Sequence, residues 1–213
     1  MYEIEGLLDI GTDRMGIKAT NKQLDQMKVY IELLEKWNKV YNLTAIRDPK
    51  AMVSRHILDS LTLVPYVSGE SLLDVGSGPG LPGIPLAILF PEKQFSVLDC
   101  NGKKTRFMTQ ARTALGLKNV TVENRRVEEW KIKTGFDEIT SRAFSSLEDM
   151  VTSTSHLMAE GGRWLAMKGI YPERELVQLQ AAIPNVQRAN SIKLSVPGCD
   201  GERHLVIIEV FGN

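Results

Sequence analysis

Between Leu24 and Tyr41 apolar residues recur three and four apart. Leu24, Met27, Ile31 and Leu34 form one row, and Tyr30, Leu33, Trp37 and Tyr41 widen it. That period predicts an amphipathic helix with one face against a core. Thr20 and Gln23 stand at capping-box spacing just ahead of it, which marks its start. A second helical stretch is predicted around Met52–Val64, stopping at Pro65. Two roles are open for that stretch: a helical cap on the rest of the chain, or a part in substrate binding.

From Ser71 the pattern changes. Short apolar runs at Leu72–Val75, Phe95–Asp99, Val120–Glu123, Phe136–Ser141 and Trp164–Met167 predict strands. Between them lie predicted helices at Pro82–Phe90, Lys103–Leu115 and Leu147–Met158, with a short piece near Val127–Lys131. Gly116 is placed to end the second of these as a left-handed cap. Strands alternating with helices imply a parallel sheet with right-handed crossovers. The tail differs: Val186–Leu194 and Leu205–Val210 are two extended runs around a Pro-Gly turn, and predict an antiparallel pair that closes the sheet. The fold class expected is therefore α/β, with an N-terminal helical extension over residues 1–67 and the sheet domain over 68–213, forming one compact unit. An open α/β sheet binds its ligand beyond the carboxyl ends of its strands. That directs attention to Asp74–Gly80, Asp99–Lys103, Glu123–Glu129, Ser141–Phe144 and Lys168–Gly169.

Size and composition narrow the class without choosing a function. A chain of 213 residues suits one ordinary domain plus an extension and needs no covalent staples. Its two cysteines, Cys100 and Cys199, make neither a disulfide framework nor a metal site. No metal is expected. Cys100 is expected to be packed rather than nucleophilic. The start Met1-Tyr2-Glu3-Ile4-Glu5 is acidic where a signal peptide is basic, and no apolar run approaches a membrane span, so a cytoplasmic protein without a membrane partner is expected. Lys plus Arg and Asp plus Glu are both 26. Bulk charge therefore favours no partner, and any nucleic acid would have to be held by local basic clusters. Three such clusters are Lys103-Lys104-Arg106, Arg125-Arg126, and Lys36 and Lys39 with Arg47, each of which could equally be solvated surface.

The first strand runs into Asp74-Val75-Gly76-Ser77-Gly78-Pro79-Gly80-Leu81-Pro82-Gly83. A strand, a glycine turn and a helix start make a nucleotide-type site, although the glycines alone also fit a tight turn without a ligand. Pyrophosphate binds the free N–H groups of a helix N-terminus. Here Pro79 and Pro82 each remove one, Asp74 adds a repelling carboxylate, and the glycine spacing departs from the dinucleotide pattern. S-adenosylmethionine carries a sulfonium and an ammonium and no phosphate. Asp74 is suited to its cationic end, and Gly76, Gly78 and Gly80 to close backbone approach. Asp99 follows the turn by about 20 residues, the spacing at which an acid reaches a ribose hydroxyl pair; a helix N-cap is its plainer role. The loop Asn124-Arg125-Arg126-Val127-Glu128-Glu129 is placed to meet the adenine. A nicotinamide-dependent oxidoreductase shares the turn and Asp99, and stays open as an alternative.

The segment from Leu73 to Leu86 closely resembles the cofactor loop of the bacterial 16S rRNA guanine-N7 methyltransferases, also called glucose-inhibited division protein B. The resemblance extends through Lys36-Trp37-Asn38-Lys39, Tyr41-Asn42-Leu43-Thr44, Arg55-His56-Ile57-Leu58-Asp59-Ser60, Arg126-Val127-Glu128, Ser141-Arg142-Ala143, Lys168-Gly169 and Asp200-Gly201-Glu202-Arg203-His204. It implies a class I S-adenosylmethionine-dependent methyltransferase fold, Rossmann-like, working as a monomer on one guanine of the small-subunit RNA, guanine 527 in standard numbering. The substrate comes from the resemblance alone. A non-catalytic ribosome-binding protein on the same scaffold is a third alternative. Carried over by position, the cofactor contacts are Gly76, Leu81, Val127, Glu128 and Arg142. Arg142, at the tip of the fourth strand, is also expected to position the target guanine, with an ion pair as the plainer role. Lys168, Arg203 and His204 are expected to contact RNA phosphate or the base edge; His204 and His56 could each be structural. Guanine N7 carries a lone pair and no proton, so its methylation needs no general base. The chain accordingly shows no Pro-Cys pair of the cytosine-C5 kind and no Asn-Pro-Pro-Tyr-type loop.

Overall fold

The computed structural model describes residues 2–142 and 144–210. Ala143, from the Ser141-Arg142-Ala143 motif, lies outside the described residues.

The predicted first helix is α2, Asn21–Tyr41, preceded by α1, Tyr2–Arg14. Its capping box forms as expected: Gln23 N–H donates to Thr20 Oγ1 at 3.3 Å and Thr20 N–H to Gln23 Oε1 at 2.9 Å. Gln23 Nε2 also donates to the carbonyls of Ile88 and Leu89, so the same residue caps a helix of the sheet domain. Leu24, Met27, Tyr30, Ile31 and Leu34 are buried. They share one core with Phe107, Met108, Phe95 and Val97. Each such side chain removed from water stabilises the fold by about 1.5–3 kcal/mol, so the extension is held to the sheet domain by hydrophobic packing.

The second helical stretch is not one helix. It divides into α3, Pro49–Met52, a π-helical segment, Val53–Leu58, and α4, Asp59–Leu61. Pro65 sits within a separate 3-10 turn, Val64–Tyr66, so the α-helical part ends earlier than predicted. Pro at the start of such a turn needs no N–H partner. Gly11 of α1 packs on the π-helical segment, where a Cβ would strike the Leu58 side chain.

The sheet has seven strands in the order β3-β2-β1-β4-β5-β7-β6. They are β1, Ser71–Val75; β2, Gln94–Leu98; β3, Val120–Glu123; β4, Phe136–Ser141; β5, Met158–Lys168; β6, Val186–Leu194; and β7, Arg203–Val210. The first five are mutually parallel, and β7 lies antiparallel between β5 and β6. The helices α5, Gly83–Leu89, and α6, Gly102–Ala114, follow β1 and β2. Gly116 ends α6 at φ 66°, as predicted. The expected helix Leu147–Met158 is shorter: α7 is Leu147–Thr154, and Met158 already begins β5. The run Trp164–Met167 is only the buried end of that strand. Its outer half carries Gly161 and Gly162, and the β4–β5 register shifts between Phe136 and Glu138, an irregularity that breaks the period-two signal. The helix α8, Glu173–Ala182, was not predicted, because it buries only Leu179. No helix among the described residues is long and apolar enough to cross a membrane.

Candidate active site

The glycine turn follows β1 directly. Gly76, Gly78 and Gly80 all have positive φ, 68°, 61° and 94°. A Cβ on Gly80 would run into Ile84, whereas one on Gly78 would meet nothing within 4 Å, so Gly78 marks the open side of the turn. Asp74 is fully buried beneath it. Its Oδ2 accepts the Gly83 N–H at 2.8 Å, and among the described residues its Oδ1 has no hydrogen-bond partner. Burial pushes its pKa up to about 6. Asp99 stands immediately beyond β2. Its Oδ2 accepts the Gly78 N–H at 3.0 Å and pairs with Lys104 at 3.3 Å, and its Oδ1 accepts the Asn101 N–H. Asn101 caps α6, so Asp99 does not. Leu81 is buried in the core. Val127 is buried and Glu128 exposed on the 3-10 turn Val127–Glu129, and Asn124 Nδ2 donates to the Asp99 carbonyl. One contact was not foreseen: Tyr30 of α2 donates its hydroxyl to the Pro79 carbonyl at 2.8 Å and so supports the turn from below.

A cavity of about 400 Å³ opens where β4, β5 and β7 meet the extension. Arg142, Lys168, Arg203 and His204 all line it, together with Arg55, His56 and Asp59 of the extension. The structure thus brings the four predicted RNA-contact residues together and adds Asp59, which sequence reasoning did not assign. None of the glycine-turn residues lines this cavity. Arg142 connects the two places. Its charge lowers the pKa of Asp74 on one side and of His56 on the other.

Asp59 is buried and accepts from two arginines: Arg142 Nη1 at 2.9 Å and Arg203 Nε at 2.8 Å. The ion pair foreseen as the plainer role of Arg142 is therefore present. Lys168 pairs with Glu175 at 2.7 Å and donates to the Phe144 carbonyl. His204 Nδ1 lies 3.4 Å from the Gly169 carbonyl, and Tyr171 meets its ring edge-on at 5.7 Å. His56 is held by Thr44, Oγ1 to Nε2 at 2.9 Å. Burial and then the Arg142 charge push its pKa down to about 4, so it is neutral near pH 7.

Outside the cavity, several cluster residues are already engaged. Lys104 pairs with Asp99, Lys39 with Glu35, and Arg125 with Glu123 while lying over the Trp130 ring at 5.4 Å. Cys100 corrects an expectation: following β2, as predicted, it is exposed on the β2–α6 connection rather than packed. No group of three metal-ligating side chains occurs among the described residues.

Residues 23–206 match the family described as rRNA small subunit methyltransferase G. The chain belongs to that family. The ribosomal RNA small subunit methyltransferase G of Pseudomonas aeruginosa strain LESB58 is 54% identical over 200 residues, 93% of this chain and 92% of that protein. The protein of the same name from Cellvibrio japonicus is 52% identical over 204 residues, with the same two coverages. Among solved structures, an S-adenosylmethionine-dependent methyltransferase from Aquifex aeolicus aligns with a TM-score of 0.58 at 16% identity, over 82% of this chain and 97% of that one. The N-methyltransferase NodS of Bradyrhizobium japonicum, in complex with S-adenosyl-L-homocysteine, aligns with a TM-score of 0.58 at 14% identity, over 84% and 100%. These structures share the fold. Family and fold together make the protein an S-adenosylmethionine-dependent methyltransferase. The turn fits that cofactor in two respects: a buried carboxylate oxygen without a partner among the described residues, and an open backbone face at Gly78.

Proposed function

We propose that this member of the methyltransferase G family methylates N7 of a single guanine in 16S rRNA, guanine 527 in standard numbering, on RNA or the small subunit. The observation that carries the reading is the match of residues 23–206 to the methyltransferase G family. Arg142, which lines the cavity with Lys168 and Arg203 and acts electrostatically on Asp74 beneath the glycine turn, is placed to serve it.

In this reading the turn, Asp99 and the Val127–Glu128 segment hold S-adenosylmethionine, and the Asp74 carboxylate, buried beneath the turn, acts on its cationic amino-acid end through its charge. When bound, it supplies a methyl carbon on a sulfonium. The cavity takes the base, which must leave its stack to enter. On the guanine edge O6 stands beside N7, and both are acceptors. An Arg142 donor to O6 would orient N7 without occupying its lone pair. That lone pair forms the new N–C bond, the C–S electron pair stays with sulfur, and no proton moves. The side chains agree with such a step. His56 is neutral but walled in by Thr44, and it is not needed as a base. Acceleration then comes from placement of N7 against the methyl carbon.

The test is incubation with labelled S-adenosylmethionine and unmodified small subunits or rRNA, followed by digestion to nucleosides. Label in 7-methylguanosine is expected. Label in any other nucleoside contradicts the reading. No label on any RNA form favours a binding protein on a methyltransferase scaffold.

A further inference from the structure

The wall of the cavity carries Arg55, Arg142, Lys168 and Arg203, and one buried carboxylate stands among them. Asp59 comes from the extension, at the start of α4 and just after the π-helical segment. A π-turn inserts about one residue into a helix and so rotates the next turn by roughly 100°. Here it is followed at once by a residue whose two carboxylate oxygens meet two arginines from distant parts of the sheet domain.

The two arginines are not equivalent. Arg203 engages all three of its nitrogens: Nε on Asp59, Nη1 on its neighbour's carbonyl, Glu202 O, at 2.7 Å, and Nη2 near Cys199 Sγ at 3.7 Å. Arg142 engages Nη1 on Asp59, and among the described residues nothing accepts from its Nε or Nη2. Arg203 is thus a fixed buttress, and Arg142 is the member with donors to spare.

We propose that Asp59 is a positioning residue for methyl transfer: fixed by Arg203, its carboxylate holds the Arg142 guanidinium so that Nε and Nη2 are left for the target base. This rests on the cavity being the base site. The bridge has an electrostatic side as well. Methylation at N7 moves a positive charge onto the purine, beside a guanidinium that would oppose it. A carboxylate fixed on that guanidinium offsets the repulsion. The extension therefore does more than cap the fold, since the group that aims Arg142 belongs to it.

The test uses the whole protein and small subunits, with Asp59→Asn, Arg203→Ala and the double variant. Single-turnover methylation, KM for RNA, S-adenosylmethionine affinity and Tm are measured for each. Misplacing Arg142 is expected to slow Asp59→Asn about 100-fold, with cofactor affinity within about threefold of the wild type. If Arg203 acts through Asp59, the double variant is no slower than Asp59→Asn, because residues of one network do not add. Losses that multiply in the double variant overturn the proposal. So does an unchanged rate, or cofactor affinity that falls in step with the rate, as a purely structural role requires. Should Asp59→Asn not fold, Arg203→Lys keeps the charge and loses the fork. A slower rate at unchanged Tm is then expected, and an unchanged rate overturns the proposal. The base modified by the wild type is mapped separately, and the variants are compared on whichever base that is, so failure of the N7 reading and failure of this proposal are distinguishable.

Discussion

Asp74 carries a consequence that can be measured at a single residue. In the free protein burial raises its carboxyl from 3.8 to about 6, so it is partly protonated in mildly acidic solution. A cationic ligand group binds the ionised form. Binding must therefore be coupled to loss of a proton below that pKa, and affinity rises with pH until the carboxyl is ionised in the free protein. Calorimetry between pH 5 and 8 should show S-adenosylmethionine binding weaken below pH 6, by up to about tenfold per pH unit, and stay flat above it. Asp74→Asn should bind more weakly at pH 8 and lose the dependence. A wild-type profile that is flat through pH 6 would remove Asp74 from the cofactor's cationic end. His56 shows the opposite shift for the same physical reason, since burial disfavours whichever form is charged.

At the scale of elements, α2 is the support of the glycine turn. Its apolar stripe is fixed against α5 and α6, and from that stripe Tyr30 reaches the Pro79 carbonyl. Tyr30→Phe keeps the ring and strands a buried carbonyl, which costs about 1–3 kcal/mol. Urea unfolding should show that loss, and S-adenosylmethionine affinity should fall with it because the turn is less firmly held. Lost stability with unchanged affinity would mean the turn is held without α2. The helix itself was legible in the sequence, since its period and capping box are local signals. Its hydroxyl contact was not, because Tyr30 fits an apolar stripe and its partner stands 49 positions away. The parallel strands were legible for the same local reason. β5 was half hidden by Gly161, Gly162 and the register shift. The cavity showed least. Arg142 and Lys168 fell in strand-end segments that the sheet pattern singled out, and Arg203 and His204 were picked out by resemblance. Asp59 stood in a quoted motif without a role, because only the π-helical turn and the sheet bring it between two arginines.

For the whole molecule, the arrangement divides the work between its parts. The carboxyl ends of β1 and β2 build the turn and Asp99. The ends of β4, β5 and β7 bring Arg142, Lys168 and Arg203 to the cavity, and the extension supplies Arg55, His56 and Asp59. The central claim is that one guanine is methylated at N7 in that cavity. Its most direct measurement is borohydride reduction and aniline scission of small-subunit RNA treated with the protein and S-adenosylmethionine, followed by primer extension. The account predicts one cofactor-dependent break, at guanine 527, that is lost with Arg142→Ala. Methyl incorporation without scission, scission at a different guanine, or an undiminished break with Arg142→Ala would contradict it.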